Sequence, residues 1–118
     1  MSFIFRRLFN STTMVSEATV SKVQDLIKQH PVFVASKTYC PYCSATKATL
    51  KEFGVDAYII ELDTRDDGSE IQAALHQLTG QNTVPFVFLG GKFIGGNSDL
   101  QALNKSGKLK DELKALKL

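Results

Sequence analysis

The chain has 118 residues, 43% of them hydrophobic and 22% charged, the proportions of one ordinary globular domain large enough to bury a modest core. Its formal net charge of +2 traces to Arg6 and Arg7, so the rest of the chain makes no electrostatic case for nucleic acid or an anionic membrane surface. Two cysteines exclude a disulfide-framework secreted fold and favour a reducing compartment.

Residues 1–17 read as an N-terminal tail. Arg6, Arg7, several Ser and Thr residues, bulky apolar residues and no acid before Glu17 compose a short mitochondrial transit segment. The arginine pair interrupts the apolar run, which argues against a secretory core and against a membrane span. Met14 is placed as a second start just before the folded body, so two forms are expected, one cytoplasmic and one mitochondrial. The alternative is a tail that carries no address.

The folded domain is expected over residues 18–118. Val20, Val23, Leu26 and Ile27 recur at helical spacing until Pro31 stops the helix. Val32-Phe33-Val34-Ala35 is a short continuous apolar run, as in a central strand buried on both faces, and it delivers the next segment at its carboxyl end. A second helix is expected from Pro41 to about Phe53, with Cys43, Thr46, Leu50 and Phe53 on one face, Lys47 and Lys51 on a solvated one, and Gly54 as a left-handed stop. Residues 57–61 form the next strand, parallel to the first through a right-handed crossover.

After an acidic loop, Asp67 and Glu70 have the spacing of a capping box ahead of a helix carrying Ile71, Ala74, Leu75 and Leu78, which Gly80 closes. Phe86 to Ile94 reads as a hairpin turning at Gly90-Gly91. Ser98 and Gln101 suggest a second capping box, followed by two closing helices marked by Leu100 and Leu103, then Leu109, Leu113 and Leu116. The order is α-β-α-β-α-β-β-α-α, an α/β class.

Both cysteines lie in Cys40-Pro41-Tyr42-Cys43, between the first strand and the second helix. With Pro41 at the first helical position, Cys43 falls about one turn along on the same side, within disulfide reach of Cys40. Cys40 meets the positive end of the helix, and Lys37 adds charge nearby; both favour thiolate, the nucleophilic form. Cys40 is therefore expected to be reactive and exposed, and Cys43 its recessed partner. A structural disulfide over so short a loop would remove little unfolded-state entropy. A zinc site would need two further ligands, and His30 and His76 stand far off.

Three separated motifs, Thr38-Tyr39-Cys40-Pro41-Tyr42-Cys43, Thr83-Val84-Pro85 and Gly95-Gly96-Asn97-Ser98-Asp99, together make the chain resemble a dithiol glutaredoxin of the thioredoxin superfamily. The resemblance runs from about residue 18 to the last residue, and the second start at Met14 is similar to that of fungal members serving two compartments. It implies a thioredoxin fold, with a four-stranded mixed sheet flanked by about five helices. It implies a cis bond before Pro85, opposite the active-site sulfur, with the Val84 backbone offered as a strand edge to glutathione. Lys37 and Gln72 would hold the glycine end of that peptide; Ser98 and Asp99, following Gly96, would hold the γ-glutamyl end, with Tyr42 flanking the groove and Thr83 beside it. Gln72 equally suits an inert helix surface, Thr83 a turn, and Ser98 and Asp99 simple caps.

The implied activity is glutathione-dependent thiol–disulfide exchange with Cys40 and Cys43 as catalytic residues. Glutathione would serve as co-substrate, glutathionylated proteins and small disulfides as substrates, glutathione reductase and NADPH as indirect electron donors, and the chain would act as a monomer without a metal. Two alternatives share the fold. A thioredoxin usually carries Trp-Cys-Gly-Pro-Cys, whereas this chain has no Trp. An iron–sulfur carrier would bind a cluster through Cys40 of two chains with two glutathiones, an assembly that Pro41 disfavours within the family.

Overall fold

The computed structural model describes residues 15–118; Met14 and all but the last three residues of the expected tail lie outside the described residues. The chain forms α1 (Glu17–Gln29), β1 (Val32–Ser36), α2 (Pro41–Glu52), β2 (Tyr58–Glu61), a 3-10 turn (Leu62–Thr64), α3 (Gly68–Thr79), β3 (Phe86–Leu89), β4 (Lys92–Gly95), α4 (Asn97–Lys105) and α5 (Lys108–Ala115). This is the thioredoxin-like α/β fold. The sheet order is β2-β1-β3-β4, with β1 and β2 parallel and the other pairs antiparallel.

The apolar run of β1 becomes a central strand because every one of its residues is buried. Alternation along the strand divides the core in two. Phe33 and Ala35, with Phe86 and Phe88 of β3, pack on α1 and α3 through Val23, Ile27, Ile71, Ala74 and Leu75. Val32 and Val34, with Val87 and Leu89, pack on α2, α4 and α5 through Leu50, Leu100, Leu109 and Leu113. A helix layer thus covers each face, and α2 is fixed on the face to which Val34 and Ser36 point. The β3–β4 hairpin turns through Gly90 (φ +59°) and Gly91 (φ +83°), a left-handed pair that residues with side chains rarely adopt.

Several local expectations yield to tertiary partners. Helix α1 starts at Glu17, earlier than its apolar periodicity, because Ser16 caps it by accepting the Thr19 N–H at 3.1 Å. The capping box of Asp67 and Glu70 does not form. Asp67 makes no side-chain cap; its carboxylate instead takes Arg65 at 2.9 Å and Lys22 of α1 at 3.0 Å, which hold it far below the ordinary carboxylate range. Phe53 is not on the buried face, with 37% of its surface exposed. Lys47 is not an idle solvated lysine either: it reaches across to Glu61 of β2 at 2.6 Å.

Candidate active site

Cys40 is the N-cap of α2, with extended backbone (φ −94°, ψ 116°), and Pro41 occupies the first turn. The Cys43 N–H donates to Cys40 Sγ at 3.3 Å, so a helix-terminal donor points at the sulfur and is placed to hold negative charge there. Cys40 is half-buried, whereas Cys43 is fully buried. Burial pushes the Cys43 thiol above its ordinary value, and its contact with Cys40 adds to the rise; the Lys37 backbone and the Ser36 side chain pull it partly back.

The loop that presents Cys40 is tied down from the 3-10 turn that follows β2. Thr38 donates both its N–H, at 3.0 Å, and its hydroxyl to the Asp63 carboxylate. Those two bonds hold the Asp63 carboxyl below the ordinary range. Facing Cys40, the Val84–Pro85 bond is cis, and the Val84 carbonyl lies 4.0 Å from Cys40 Sγ. Gln81 supports this segment by donating to the carbonyls of Thr83 (2.6 Å) and Pro85 (3.0 Å).

Two adjoining hollows meet at Tyr42, Thr83 and Val84 and make one groove. The larger, of about 580 Å³, is lined by Lys37, Cys40, Gln72 and Asn82 among others. The smaller, of about 340 Å³, is lined by Pro85, Gly96, Asn97, Ser98 and Asp99 with Gln81. The groove therefore gathers Lys37, Cys40, Tyr42, Gln72, Thr83, Val84, Pro85, Gly96, Ser98 and Asp99, and Cys43 is sealed below it. One end offers a lysine, the other the first turn of a helix with its unpartnered N–H groups.

The helix end is built differently from its expected form. Its N-cap is Gly96, which has no side chain to cap with, so only one half of a capping box is made: the Asp99 carboxylate accepts the Gly96 N–H at 3.1 Å. Gln101 takes no part in a cap with Ser98. It donates instead to Thr49 (2.8 Å) and to Asn97 (3.1 Å), and Asn97 also accepts from Thr46 (3.0 Å), so α4 is bolted to α2 beneath the groove. Gly95 permits the arrangement: at φ +125°, an added Cβ would sit 2.1 Å from Asp99 Oδ2. The sequence gives Gln81 no local signal, shows Asp63 only as one acid in an acidic loop, and places Asn97 in a motif without a role of its own.

A glutaredoxin family model matches residues 32–94, more than half of the chain. The chain belongs to the glutaredoxin family. It is 45% identical over 107 residues to glutaredoxin-1 of Saccharomyces cerevisiae, spanning 87% of this chain and 97% of that protein. It is 49% identical over 90 residues to a glutaredoxin of Ricinus communis, spanning 76% and 88% of the two chains. Among solved structures, a buckwheat glutaredoxin–glutathione complex superposes with a TM-score of 0.82 at 45% identity, covering 85% of this chain and 91% of that one.

Proposed function

We propose that Cys40 is the attacking nucleophile and that glutathione lies along the groove, its backbone paired with Val84. The chain is a glutathione-dependent thiol–disulfide oxidoreductase acting through Cys40-Pro41-Tyr42-Cys43, with glutathionylated substrates as partners. The observation that carries the assignment within the site is Cys40 itself, half-exposed in the groove with a helix N–H on its sulfur. The buckwheat protein, solved with glutathione, supports the ligand.

Cys40 thiolate attacks the glutathione sulfur of a protein–glutathione disulfide. The substrate sulfur leaves with the electron pair and takes a proton from water, and Cys40 is left disulfide-bonded to glutathione. A second glutathione, as thiolate, attacks the glutathione sulfur of that bond; oxidised glutathione departs and Cys40 thiolate is restored. The same stabilisation that lowers the intrinsic nucleophilicity of a thiolate makes it a better leaving group, so the second step gains most. Lys37 and Gln72 hold the glycine carboxylate, and the Ser98 amide and Asp99 hold the γ-glutamyl carboxylate and amine. In protein disulfides, Cys43 attacks the mixed disulfide at Cys40.

The test is turnover of a glutathionylated peptide with glutathione and glutathione reductase as the only electron source. Wild type and Cys43→Ser should turn over, and Cys40→Ser should not. Equal loss in both variants would replace this route with a strictly dithiol one, and no turnover in any would sink the glutathione groove.

The finer reading is of a fungal-type member made in two forms. It is supported by the composition of residues 1–17 and by Met14, alongside the long match to the Saccharomyces protein. Plant relatives match to a similar degree, so the N-terminal segment is what distinguishes it. Residues 1–20 fused to a fluorescent reporter should carry it into mitochondria; a reporter that stays outside removes the address.

A further inference from the structure

Five large apolar side chains stand exposed among the described residues. Tyr39 and Tyr42 flank Cys40, and the groove accounts for them. The other three, Phe53, Ile59 and Leu118, come from separate parts of the chain and line one band, made of two hollows that share Gly54 and Val55. One hollow, of about 430 Å³, is lined by Leu50, Val55, Ala57 and Ile59, the last on β2, an edge strand of the sheet. The second, of about 460 Å³, is lined by Phe53, Val55, Leu113 and Leu118. Exposed apolar groups gathered around hollows, rather than scattered singly, mark a surface that is covered by something else.

The charge around the band decides what covers it. Lys47 and Lys51 come from α2, Lys110 and Lys114 from α5, and Lys117 from just beyond its end. Against these five lysines the lining holds one acid, Asp56. Lys47 is engaged by Glu61, whereas the other four make no ion pair among the described residues. Outside Arg6 and Arg7 the charges of the chain balance, so this excess is a local segregation.

The same chemistry disfavours three occupants. Residues 1–14 hold two arginines and no acid, so the amino-terminal segment brings like charge. A second copy would have to offer the acids of residues 61–70, of which Glu61, Asp63 and Asp67 are already taken by Lys47, Thr38 and Arg65. A bilayer is a poor fit because α5 turns Leu109 and Leu113 into the core and has no apolar face left to insert.

We propose that this band docks an acidic segment of a partner protein, its apolar side chains seated in the two hollows and its carboxylates on Lys51, Lys110, Lys114 and Lys117. The apolar hollows supply burial, and the lysine rim supplies orientation and a faster encounter. The band lies toward the carboxyl end of α2, a helix about 18 Å long whose other end carries Cys40, so a docked segment leaves the groove open.

The experiment follows the anisotropy of a short fluorescein-labelled peptide of Glu and Leu titrated with the full chain. It should bind roughly tenfold or more tightly than a Lys and Leu peptide or a Glu and Ser peptide, and more weakly as salt is added. Phe53→Ser, and Lys114→Glu combined with Lys117→Glu, should each weaken binding roughly tenfold, whereas Lys28→Glu on α1 should leave it unchanged. All four positions are exposed, and unchanged denaturant midpoints report that the variants fold; if Phe53→Ser loses stability, the lysine pair decides. No binding of the Glu and Leu peptide, equal binding of the Glu and Ser peptide, or an equal loss from Lys28→Glu would overturn the docking site. Binding to vesicles of phosphatidylcholine and phosphatidylserine in place of the peptide, lost in the same variants, would overturn it in favour of a membrane contact. Self-association in sedimentation that the variants abolish would overturn it in favour of a contact between copies.

Discussion

The two ends of the groove present positive charge by unlike means. At one, Lys37 is a side-chain cation on a loop, held in place through Thr38 and Asp63. At the other, α4 brings backbone N–H groups and Asp99, whose position depends on Gly95 and Gly96. The lysine end is an adjustable point charge, whereas the helix end is a fixed array in which each part constrains the next. The difference predicts graded tolerance: small changes at the helix end should be felt more than larger ones at the lysine end.

Gly95→Ala should have the largest effect. The added methyl collides with Asp99 and the backbone angle disfavours it, so the Gly96–Asp99 bond is lost. We expect a loss of about 1–3 kcal/mol of stability and a rise of more than roughly tenfold in the KM for glutathione. Denaturant titration and steady-state kinetics measure both. Asp99→Ala, with the glycine intact, should raise that KM by roughly tenfold while leaving kcat near wild type, as expected for one charge-assisted hydrogen bond.

Lys37→Gln should raise the KM by only roughly threefold, with the difference shrinking as salt is added, because an exposed charge is screened. A salt-independent loss as large as that of Asp99→Ala would erase the distinction between the ends. The loop anchor should respond to pH. The Asp63 carboxyl is lowered by Thr38, so its contribution to folding and to loop order is present above the ordinary carboxylate range and is lost as pH falls through the lowered value. Asp63→Asn should therefore flatten the acid limb of a stability profile taken below about pH 4. Gln72→Ala should be the mildest change, under about twofold in KM, since its amide already donates to the Asn82 carbonyl at 3.2 Å.

Within the site, legibility followed the range of the interaction that places each residue. Cys40 at a helix start and Pro41 at its first turn are consequences of neighbours in sequence, and they stand as expected. The cis bond before Pro85 was expected from resemblance, since nothing in spacing alone requires it. The cap of α4 was misassigned by a few residues because Ser98 and Gln101 fit the capping pattern as well as Gly96 and Asp99 do by position. What decided it was Gln101 finding Thr49, a partner 52 residues away.

By itself the sequence determined the order of helices and strands, the central strand, the hairpin turn and the position of both cysteines. Each depends on apolar period, proline and glycine geometry or helix-end chemistry acting within a few residues. Tertiary structure alone decided which polar side chains meet. Lys22 takes Asp67 across 45 residues, Thr46 takes Asn97 across 51, and Ser36 meets Glu61 only because a parallel register sets their strands side by side. Such pairs are chosen by crossover and register, which local pattern does not specify.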